Sequence, residues 1–523
     1  MTNTPNNGRH RLLVILGLLM LAVAAPPLVG CVQGGDPAGQ TVGITSEYQA
    51  RENSREQLIR FRAVYDEYAA KDKSSNARLQ HFNDAFRRVR DNYVKPIDNA
   101  VLIGAAIEGV RALEGEPGTF APADVAEAGL DAMLESLDPH SSYMNADELR
   151  ESSITTRGEF GGLGIEVIME DGLVKVVSPI EDTPADRAGL QSGDKISHID
   201  GAPVKGKTLG EAIKIMRGKP GTDIRLGILR EGAKPFDVTI TRAIISVRAV
   251  RWRVEGDIGY VRVGSFSEKV EDGIERAMSA INDELDADLR GIVLDLRNNP
   301  GGLLTQSVEL SDAFLDDGVV VSVRGREDND EFVYHARDGD YAHGVPMVVL
   351  INGGSASASE IVAGALQDHK RAVVMGSRSF GKGSVQTIMP LPLDGALRLT
   401  TQLYYLPSDT SIQGQGITPD IEILPAKKPD DEQAAGETAP KKEGEGEAAA
   451  PVAFPRREAD QPGAIKLKDH VNQRTARASV AEDLCPVVTV RERDDRVLGC
   501  ALEFLKAGTT AQFLAAIDAG GAL

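Results

Sequence analysis

The chain has 523 residues, of which 41% are hydrophobic and 26% are charged, and its formal net charge is -20. A chain of this length exceeds what one hydrophobic core usually holds, so we expect several compact units. The acidic balance of 58 Lys and Arg against 78 Asp and Glu speaks against nucleic-acid binding as the main activity. We therefore expect a multidomain protein without a nucleic-acid partner.

Residues 1–31 have the pattern of an export signal. Two arginines precede an apolar run from Leu12 to Ala25, and the following Leu28-Val-Gly-Cys31 resembles the bacterial lipobox, in which the cysteine is lipidated. A plain cleaved signal is one alternative. An uncleaved anchor is another, but it needs about 20 apolar residues and Pro26-Pro27 interrupts this run. We predict lipidation of Cys31, membrane attachment through this segment, and export to the periplasm or to the outer face of a bacterial membrane.

Residues 32–45 contain glycine and glutamine and predict a tether. From residue 46 to residue 152, apolar side chains recur at helical spacing, for example at Phe61, Val64 and Phe82. We predict an N-terminal helical region over 46–152.

Residues 153–245 consist of short β-rich runs separated by glycine turns. Two runs, Gly164–Met169 and Leu173–Val177, flank a Glu-Asp-Gly turn and predict a hairpin. A helix is expected near Leu209–Met216. The pattern predicts a small β-rich domain.

Residues 246–425 alternate buried-type strands with helical stretches, which is typical of an α/β domain. Such strands are predicted at Gly291–Leu296, Met347–Ile351 and Ala372–Met375.

Residues 426–470 are rich in Pro, Glu, Lys and Ala and contain little to bury, so we predict a disordered acidic linker. Residues 471–523 regain helical spacing, and we expect this segment to pack on the core. Its Cys485 and Cys500 are able to pair in an exported chain. Sequence spacing alone leaves that pairing open, because it does not give their separation in space.

Ser357 lies where a strand turns into a helix. The strand Met347–Ile351 is followed by Asn352-Gly-Gly354 and then by a helical pattern. Unpaired N–H groups and the positive end of a helix dipole favour developing negative charge there, which suits a serine nucleophile and an oxyanion hole. The alternative is structural: Ser357-Ala-Ser-Glu360 is also a capping box, in which the serine only satisfies the helix N-terminus.

Lys382 stands between two glycines in Ser379-Phe-Gly-Lys-Gly383, just after the strand 372–375. Loops at this end of parallel strands commonly present ligands. To act as a general base, the lysine has to be neutral near pH 7, which requires burial to lower its pKa. A surface lysine in a glycine turn is the alternative.

Two other catalytic arrangements compete for these residues. Ser379-x-x-Lys382 has the spacing used by β-lactamases and penicillin-binding proteins, but that motif needs a helical turn, which the flanking glycines disfavour. His369 is about three turns from Ser357 along the same helix, too far to reach its hydroxyl. No metal-ligand spacing such as His-Glu-x-x-His occurs, so we expect neither a metal nor another cofactor.

Several motifs follow one another along residues 80–424. They are Leu137-Asp-Pro-His-Ser-Ser-Tyr143, Asp295-Leu-Arg-Asn-Asn-Pro-Gly-Gly302, Gly354-Ser-Ala-Ser-Ala-Ser-Glu-Ile361, Phe380-Gly-Lys-Gly-Ser-Val-Gln386 and Gly416-Ile-Thr-Pro-Asp420. Together they resemble the carboxy-terminal processing (tail-specific) protease family, and residues 160–242 resemble its PDZ domain. The resemblance implies a multidomain α+β protein with an N-terminal helical region, a β-rich PDZ domain, and an α/β serine protease core resembling the Clp protease/crotonase-like fold.

The resemblance also implies roles for the residues at matching positions. Ser357 would be the nucleophile, Lys382 the general base, and Gln386 the residue that orients the lysine. Asp368 matches an acidic position of the family and is expected to support the structure.

Two loops would bind the substrate through backbone N–H groups. The N–H of Ala358, with that of Gly301 or of Gly302, would form the oxyanion hole, and the choice between the two glycines stays open. The PDZ loop would bind a terminal carboxylate through Gly162, Leu163, Gly164 and Ile165.

These assignments predict an exported serine endopeptidase that cleaves proteins near their C-termini, with protein or peptide substrates recruited through their free C-termini by the PDZ domain. A homo-oligomeric state is compatible with this interpretation. The alternative is a catalytically silent PDZ adaptor or chaperone, in which the serine is only a helix cap.

Overall fold

The computed structural model describes residues 38–180, 182–285, 288–327, 329–425, 457–467, 474–490 and 493–518. The predicted signal segment with Cys31, the start of the predicted tether, and residues 426–456 of the predicted linker lie outside the described residues. The chain divides into Met1–Arg55 and a compact unit from Glu56 to Leu523. Among the described residues, no helix combines the length and apolarity needed to cross a membrane.

The N-terminal region is helical because apolar side chains at helical spacing pack on one another. The Phe61 and Phe82 rings stack with centroids 3.5 Å apart, and both side chains are fully buried. The first helix begins at Ala38, within the segment 32–45 that was predicted to be a tether. The elements are α1 (Ala38–Tyr68), α2 (Ser75–Asn92), α3 (Asn99–Arg111), α4 (Pro122–Glu135), β1 (Ser142–Met144) and α5 (Ala146–Thr156).

The β-rich domain is a six-stranded sheet whose apolar side chains form a separate core. Its elements are β2 (Glu159–Gly162), β3 (Ile165–Glu170), β4 (Leu173–Pro179), α6 (Pro184–Arg187), β5 (Lys195–Ile199), β6 (Ala202–Pro203), α7 (Leu209–Met216), β7 (Asp223–Leu229), β8 (Phe236–Thr241) and β9 (Ala243–Ser246). Strands β3, β4, β5, β7 and β8 follow in that order, with β6 paired to β5, so β3 is an edge strand. At the domain's two ends, β2 and β9 pair with each other.

The α/β region contains two sheets. Its elements are β10 (Val250–Glu255), β11 (Ile258–Val263), α8 (Val270–Leu285), β12 (Gly291–Asp295), α9 (Leu304–Asp312), β13 (Val319–Arg324), β14 (Glu331–His335), β15 (Met347–Ile351), α10 (Ala358–Asp368), β16 (Val373–Gly376), β17 (Ser384–Pro390), β18 (Ala396–Tyr405) and β19 (Ile421–Leu424). The seven-stranded sheet has the order β10-β11-β12-β15-β16-β19 followed by one C-terminal strand, and it is parallel from β11 onward. Strands β12 and β15 are buried along their whole length, which accounts for their continuous apolar runs.

The second sheet joins the N-terminal region to the core. Its order is β1-β18-β13-β14, and β17 also pairs with β18. Tyr143 of β1 lies opposite Leu397 of β18. The motif that ends at Tyr143 therefore contributes a strand to the core, although its position in the chain assigned it to the helical region.

The C-terminal segment packs on the core and adds a strand as well as helices. The elements are β20 (Ala478–Ala481), β21 (Thr489–Val490), β22 (Arg493–Asp494), α11 (Arg496–Ala507) and α12 (Thr510–Asp518). Strand β20 extends the seven-stranded sheet by pairing in parallel with β19. Cys485 and Cys500 form a disulfide. The linker predicted over 426–470 is wrong for residues 457–467, which pack on the protein with Glu458 and Ile465 buried.

Candidate active site

The loops that carry the motifs meet at one edge of the seven-stranded sheet. Parallel strands place their carboxyl ends at the same edge, and β12, β15 and β16 are neighbours. The loop with Gly301 and Gly302 follows β12, the loop with Ser357 follows β15, and the loop with Lys382 follows β16. The sheet order thus gathers residues that are far apart in the sequence.

Ser357 has a strained backbone. Its φ is 55° and its ψ is −113°, a region that residues with a side chain rarely adopt and that costs about 1–3 kcal/mol. The side chain is only 5% exposed. The N–H groups of Glu360 and Ile361 donate to the backbone carbonyl of Ser357. The Glu360 side chain accepts the Ser357 N–H, so these two residues form the capping box that the sequence indicated, and Ser357 stands at the N-terminus of α10.

The Glu360 carboxylate joins the nucleophile loop to the lysine loop. Its Oε2 accepts the backbone N–H of Ser357 at 2.7 Å and that of Lys382 at 2.9 Å. Its Oε1 accepts the Gly381 N–H at 2.7 Å and the Ser379 hydroxyl at 2.5 Å. One oxygen atom thus holds the backbones of Ser357 and Lys382 beside each other.

The side chain of Lys382 is directed by Gln386. The lysine Nζ donates to Gln386 Oε1, and the amide Nε2 of Gln386 donates to Ser384 Oγ at 3.0 Å and to Thr400 Oγ1 at 3.2 Å. Because both partners of the amide nitrogen can accept, its oxygen is left to face the lysine. The structure brings Lys382 and Gln386 together as the sequence suggested.

Burial lowers the pKa of Lys382 below its ordinary value of 10.5, and burial is the largest cause. The negative charges of Glu458, Glu360 and Asp138 act against this decrease, whereas Arg398 adds to it. At a given pH, a larger fraction of Lys382 is therefore in the neutral amine form than of a solvated lysine.

Tyr404 on β18 contacts both loops. Its backbone N–H donates to the Gly383 carbonyl at 2.8 Å. Burial raises the pKa of Tyr404 to about 12, and its interaction with the Ser357 side chain opposes that rise. The tyrosine hydroxyl therefore faces the nucleophile.

The two candidate oxyanion glycines differ in what their N–H groups contact. The Gly301 N–H donates to Asn299 Oδ1 at 3.0 Å. Within the described ranges, the N–H groups of Gly302 and Ala358 donate no hydrogen bond. A Cβ added to Gly301 would lie 3.0 Å from the Ala358 nitrogen, so the glycine loop packs directly against the start of α10.

The remaining candidates lie elsewhere or are already engaged. The Ser379 hydroxyl, besides donating to Glu360, accepts the Ile417 N–H at 2.6 Å and is 1% exposed, so the β-lactamase-like arrangement has no free nucleophile. His369 Nε2 contacts the carbonyl of Val319 at 2.7 Å. Asp368 accepts the Ser408 N–H at 2.9 Å and pairs with Arg474, which gives it a structural role at the far end of α10.

The PDZ loop leaves backbone donors free beside an edge strand. Leu163 is buried in the domain core, and its carbonyl accepts the Ala185 N–H at 2.9 Å. In the part of the chain that the structure describes, the N–H groups of Leu163 and Gly164 have no acceptor. Strand β3, which starts at Ile165, has an open edge, while Gly162 belongs to β2 and is paired with Ala243. The loop can therefore receive a carboxylate, and the strand a peptide chain.

Sequence reasoning missed the roles of Glu360, Tyr404 and Glu458. Glu360 was visible only as the last residue of a capping box. Tyr404 lies on a strand with no local motif, and Glu458 lies in a stretch whose composition predicts a linker.

Comparison with known proteins identifies the family of the chain. A model of "Peptidase family S41" matches residues 257–423, and a PDZ domain model matches residues 161–240. These matches define a protease with a PDZ domain. A carboxy-terminal-processing protease of Bartonella bacilliformis is 53% identical over 361 residues, which cover 68% of this chain and 78% of that protein. This chain belongs to the carboxy-terminal-processing proteases of peptidase family S41, which confirms the resemblance inferred from its motifs.

More distant relatives also match. A probable CtpA-like serine protease of Staphylococcus aureus is 32% identical over 352 residues, or 67% of this chain and 66% of that protein. The solved structure of the photosystem II D1 C-terminal processing protease is 27% identical, with a TM-score of 0.42 over 67% of this chain and 93% of that chain.

Proposed function

We propose that this protein is an exported serine endopeptidase that uses Ser357 and Lys382 as a dyad to cleave proteins near their C-termini. The observation that carries the proposal is the shared Glu360 oxygen, which accepts the N–H groups of both residues. The lysine side chain is held by Gln386, and its pKa is lowered by burial.

The chemistry is acyl transfer. Neutral Lys382 takes the proton of the Ser357 hydroxyl as Oγ attacks the substrate carbonyl, and the lysine then returns a proton to the leaving amine. Water hydrolyses the acyl-enzyme by the same route in reverse. A lysine with an ordinary pKa would be almost fully protonated near pH 7, so the burial of Lys382 is necessary for this role.

We assign the oxyanion hole to the N–H groups of Ala358 and Gly302. Both lack an acceptor within the described residues, whereas the Gly301 N–H already donates to Asn299. N–H donors that are unpaired and already in position stabilise the developing oxyanion without reorganisation.

The PDZ domain recruits the substrate tail in this proposal. The terminal carboxylate binds the free N–H groups of Leu163 and Gly164, and the preceding residues add as a strand along β3. Ile165 and Val167 of β3 are partly buried apolar side chains packed against the PDZ core, and they favour an apolar C-terminal residue at this edge.

The export proposal rests on residues 1–31, with lipidation at Cys31 as the anchor. Incorporation of a fatty-acid probe into the wild-type protein, and its loss in Cys31→Ser, tests it. Equal labelling of the two would reject Cys31 as the lipidated residue.

The central test is cleavage of an unfolded protein with a free C-terminus by the purified full chain. Ser357→Ala and Lys382→Ala should each lower kcat/KM by at least about a thousandfold. Lys234→Ala, at an exposed lysine of the PDZ domain, serves as the control and should leave kcat within about twofold of wild type. Every variant should still bind a peptide with a free carboxylate.

Two outcomes would contradict the proposal. Turnover retained by Ser357→Ala or Lys382→Ala would identify the wrong dyad. Peptide binding without turnover in the wild-type protein would favour the adaptor or chaperone.

A further inference from the structure

Residues 457–467 form a strap that lies against the lysine loop. The strap lies beyond residues 257–423, which the family model matches. Glu458 is 1% exposed, although the residues on both sides of it, Arg457 and Ala459, are exposed. Burial of a carboxylate is costly unless it has hydrogen-bond partners. The hydrogen bonds of Glu458 should therefore account for its burial.

Glu458 contacts three separate parts of the chain. Its backbone N–H donates to the Phe380 carbonyl at 3.1 Å. Its Oε1 accepts the Gln413 Nε2 at 3.0 Å, and its Oε2 is 2.8 Å from His140 Nε2. The strap thereby connects the motif around His140 to the loop that contains Lys382.

The contact with Gln413 fixes the backbone directly after Lys382. The Gly383 N–H donates to Gln413 Oε1 at 2.8 Å. Glu458 and the Ile465 carbonyl of the same strap accept from the amide nitrogen of Gln413 at 3.0 and 3.3 Å, so the amide oxygen is turned toward Gly383. Phe380, which also contacts Glu458, donates its N–H to the Ser355 carbonyl at 3.0 Å in the nucleophile loop.

We propose that Glu458 is a positioning residue for the general base, acting through Gln413 on Gly383 and through the backbone of Phe380. The inference rests on the proposed function of Lys382. Glu360, in the helix that follows the nucleophile, accepts the N–H of Lys382. Glu458, in the strap, accepts from the side chain of Gln413, which binds the residue after Lys382.

Glu458 also contributes charge at the lysine. The charged groups that face Lys382 are Glu458, Glu360, Asp138 and Arg398, and the negative charge of Glu458 raises the lysine pKa against the effect of burial. Removing that charge lowers the pKa further. Since activity requires the neutral amine, activity should then persist to lower pH.

The test is the pH dependence of kcat and KM for cleavage of an unfolded protein substrate. Glu458→Gln keeps the acceptor for Gln413 and should retain kcat within a few-fold, with the acid limb of its profile moved to lower pH. Glu458→Ala removes the shorter of the two hydrogen bonds of the Gln413 amide nitrogen and the link to His140. It should lower kcat by about tenfold to a hundredfold, as small displacements of catalytic groups do, with little change in KM. Asp460→Asn removes an exposed charge of the same strap and should leave the profile unchanged.

The outcomes separate this inference from the proposed function. An acid limb of Glu458→Gln that superimposes on that of wild type, or a wild-type kcat in Glu458→Ala, overturns the inference while the dyad stands. If Glu458→Ala does not fold, Glu458→Gln decides. An acid limb that vanishes in His140→Gln would assign the titration to the histidine and also overturn the inference. Activity in Ser357→Ala would instead reject the dyad itself.

Discussion

The PDZ loop and the lysine loop are both glycine-containing turns, but they use their backbone N–H groups in opposite ways. In the PDZ loop the N–H groups of Leu163 and Gly164 lack an acceptor in the described structure. In the lysine loop the N–H groups of Gly381, Lys382 and Gly383 are all bonded to buried side chains. A binding loop needs free donors for an arriving carboxylate, whereas a catalytic base must be held in place before the substrate arrives.

The catalytic region also contains both kinds of backbone N–H group, unpaired and hydrogen-bonded. The N–H groups that position residues, such as those of Ser357 and Lys382, are bonded to Glu360. The N–H groups of Ala358 and Gly302, which we assign to the oxyanion, have no acceptor among the described residues. Free donors thus mark where substrate is expected, and bonded donors mark what must stay fixed.

Outside the dyad itself, the largest effect is expected at Glu360, which holds both catalytic loops. Glu360→Gln replaces an acceptor oxygen by a donor that faces two N–H or O–H donors, so it should lower kcat by roughly a hundredfold and the free energy of unfolding by about 2 kcal/mol or more. Cleavage assays and chemical denaturation measure both. Ser152→Ala, which removes a partly exposed hydroxyl that contacts Arg398, is the control. A variant with wild-type kcat would show that the shared carboxylate is dispensable.

The same residue predicts a pH dependence of stability. Burial raises the pKa of Glu360 to about 7 from 4.5, so between these values the folded state binds more protons than the unfolded state. The wild-type protein should therefore lose stability relative to Glu360→Gln as the pH rises from about 4.5 to about 7, and the difference should stay constant above that range. Denaturation curves at several pH values test this, and a difference that does not change with pH would argue against the buried carboxyl.

The next largest effect on activity is expected at the PDZ loop. Gly164 has a φ of +81°, and an added Cβ would lie 2.3 Å from the Thr183 Cβ. Gly164→Ala should raise KM for a substrate with a free C-terminus by about tenfold and leave kcat nearly unchanged, because only recruitment is lost. Gly172 has a similar φ of +74°, but a Cβ added there would have its nearest contact, with Lys205, at 3.9 Å. Gly172→Ala is therefore the matched control. Equal KM values for the two variants would contradict recruitment through this loop.

The smallest effect on activity is expected at the disulfide, which lies in the C-terminal segment. Replacing Cys485 and Cys500 by serine opens a loop of 15 residues and should lower the free energy of unfolding by about 3 kcal/mol, with kcat within about twofold of wild type. Thiol reduction should destabilise the wild-type protein to a similar extent and leave the double variant unchanged. A large loss of kcat in the folded variant would show that this segment reaches the catalytic loops.

Local patterns predicted the elements whose structure depends on local sequence. The apolar runs of β12, β15 and β16, the hairpin β3–β4 and the helix α7 were each found because their periodicity and turn residues are contained in short segments. The strand-to-helix turn at Ser357 and the loop of Lys382 were found for the same reason.

Features that depend on distant partners could not be predicted in this way. Strand β1 is only Ser142–Met144 and exists because β18 pairs with it, and β20 exists because β19 does. Glu360 has the local pattern of a capping residue, yet its four donors come from two loops. Glu458 lies in a stretch of linker-like composition, and its position in the fold is evident only from its contacts with His140 and Gln413. Composition and periodicity carry no information about such pairings.

Trapping the acyl-enzyme tests the dyad most directly. Wild-type protein mixed with an unfolded substrate is quenched in acid within the first turnovers, digested, and examined by mass spectrometry for a substrate fragment bound to a peptide of the enzyme. The account predicts an ester on Ser357, absent from Ser357→Ala and not formed in Lys382→Ala. An adduct on another residue, such as Ser379, or full cleavage by Ser357→Ala, would contradict it.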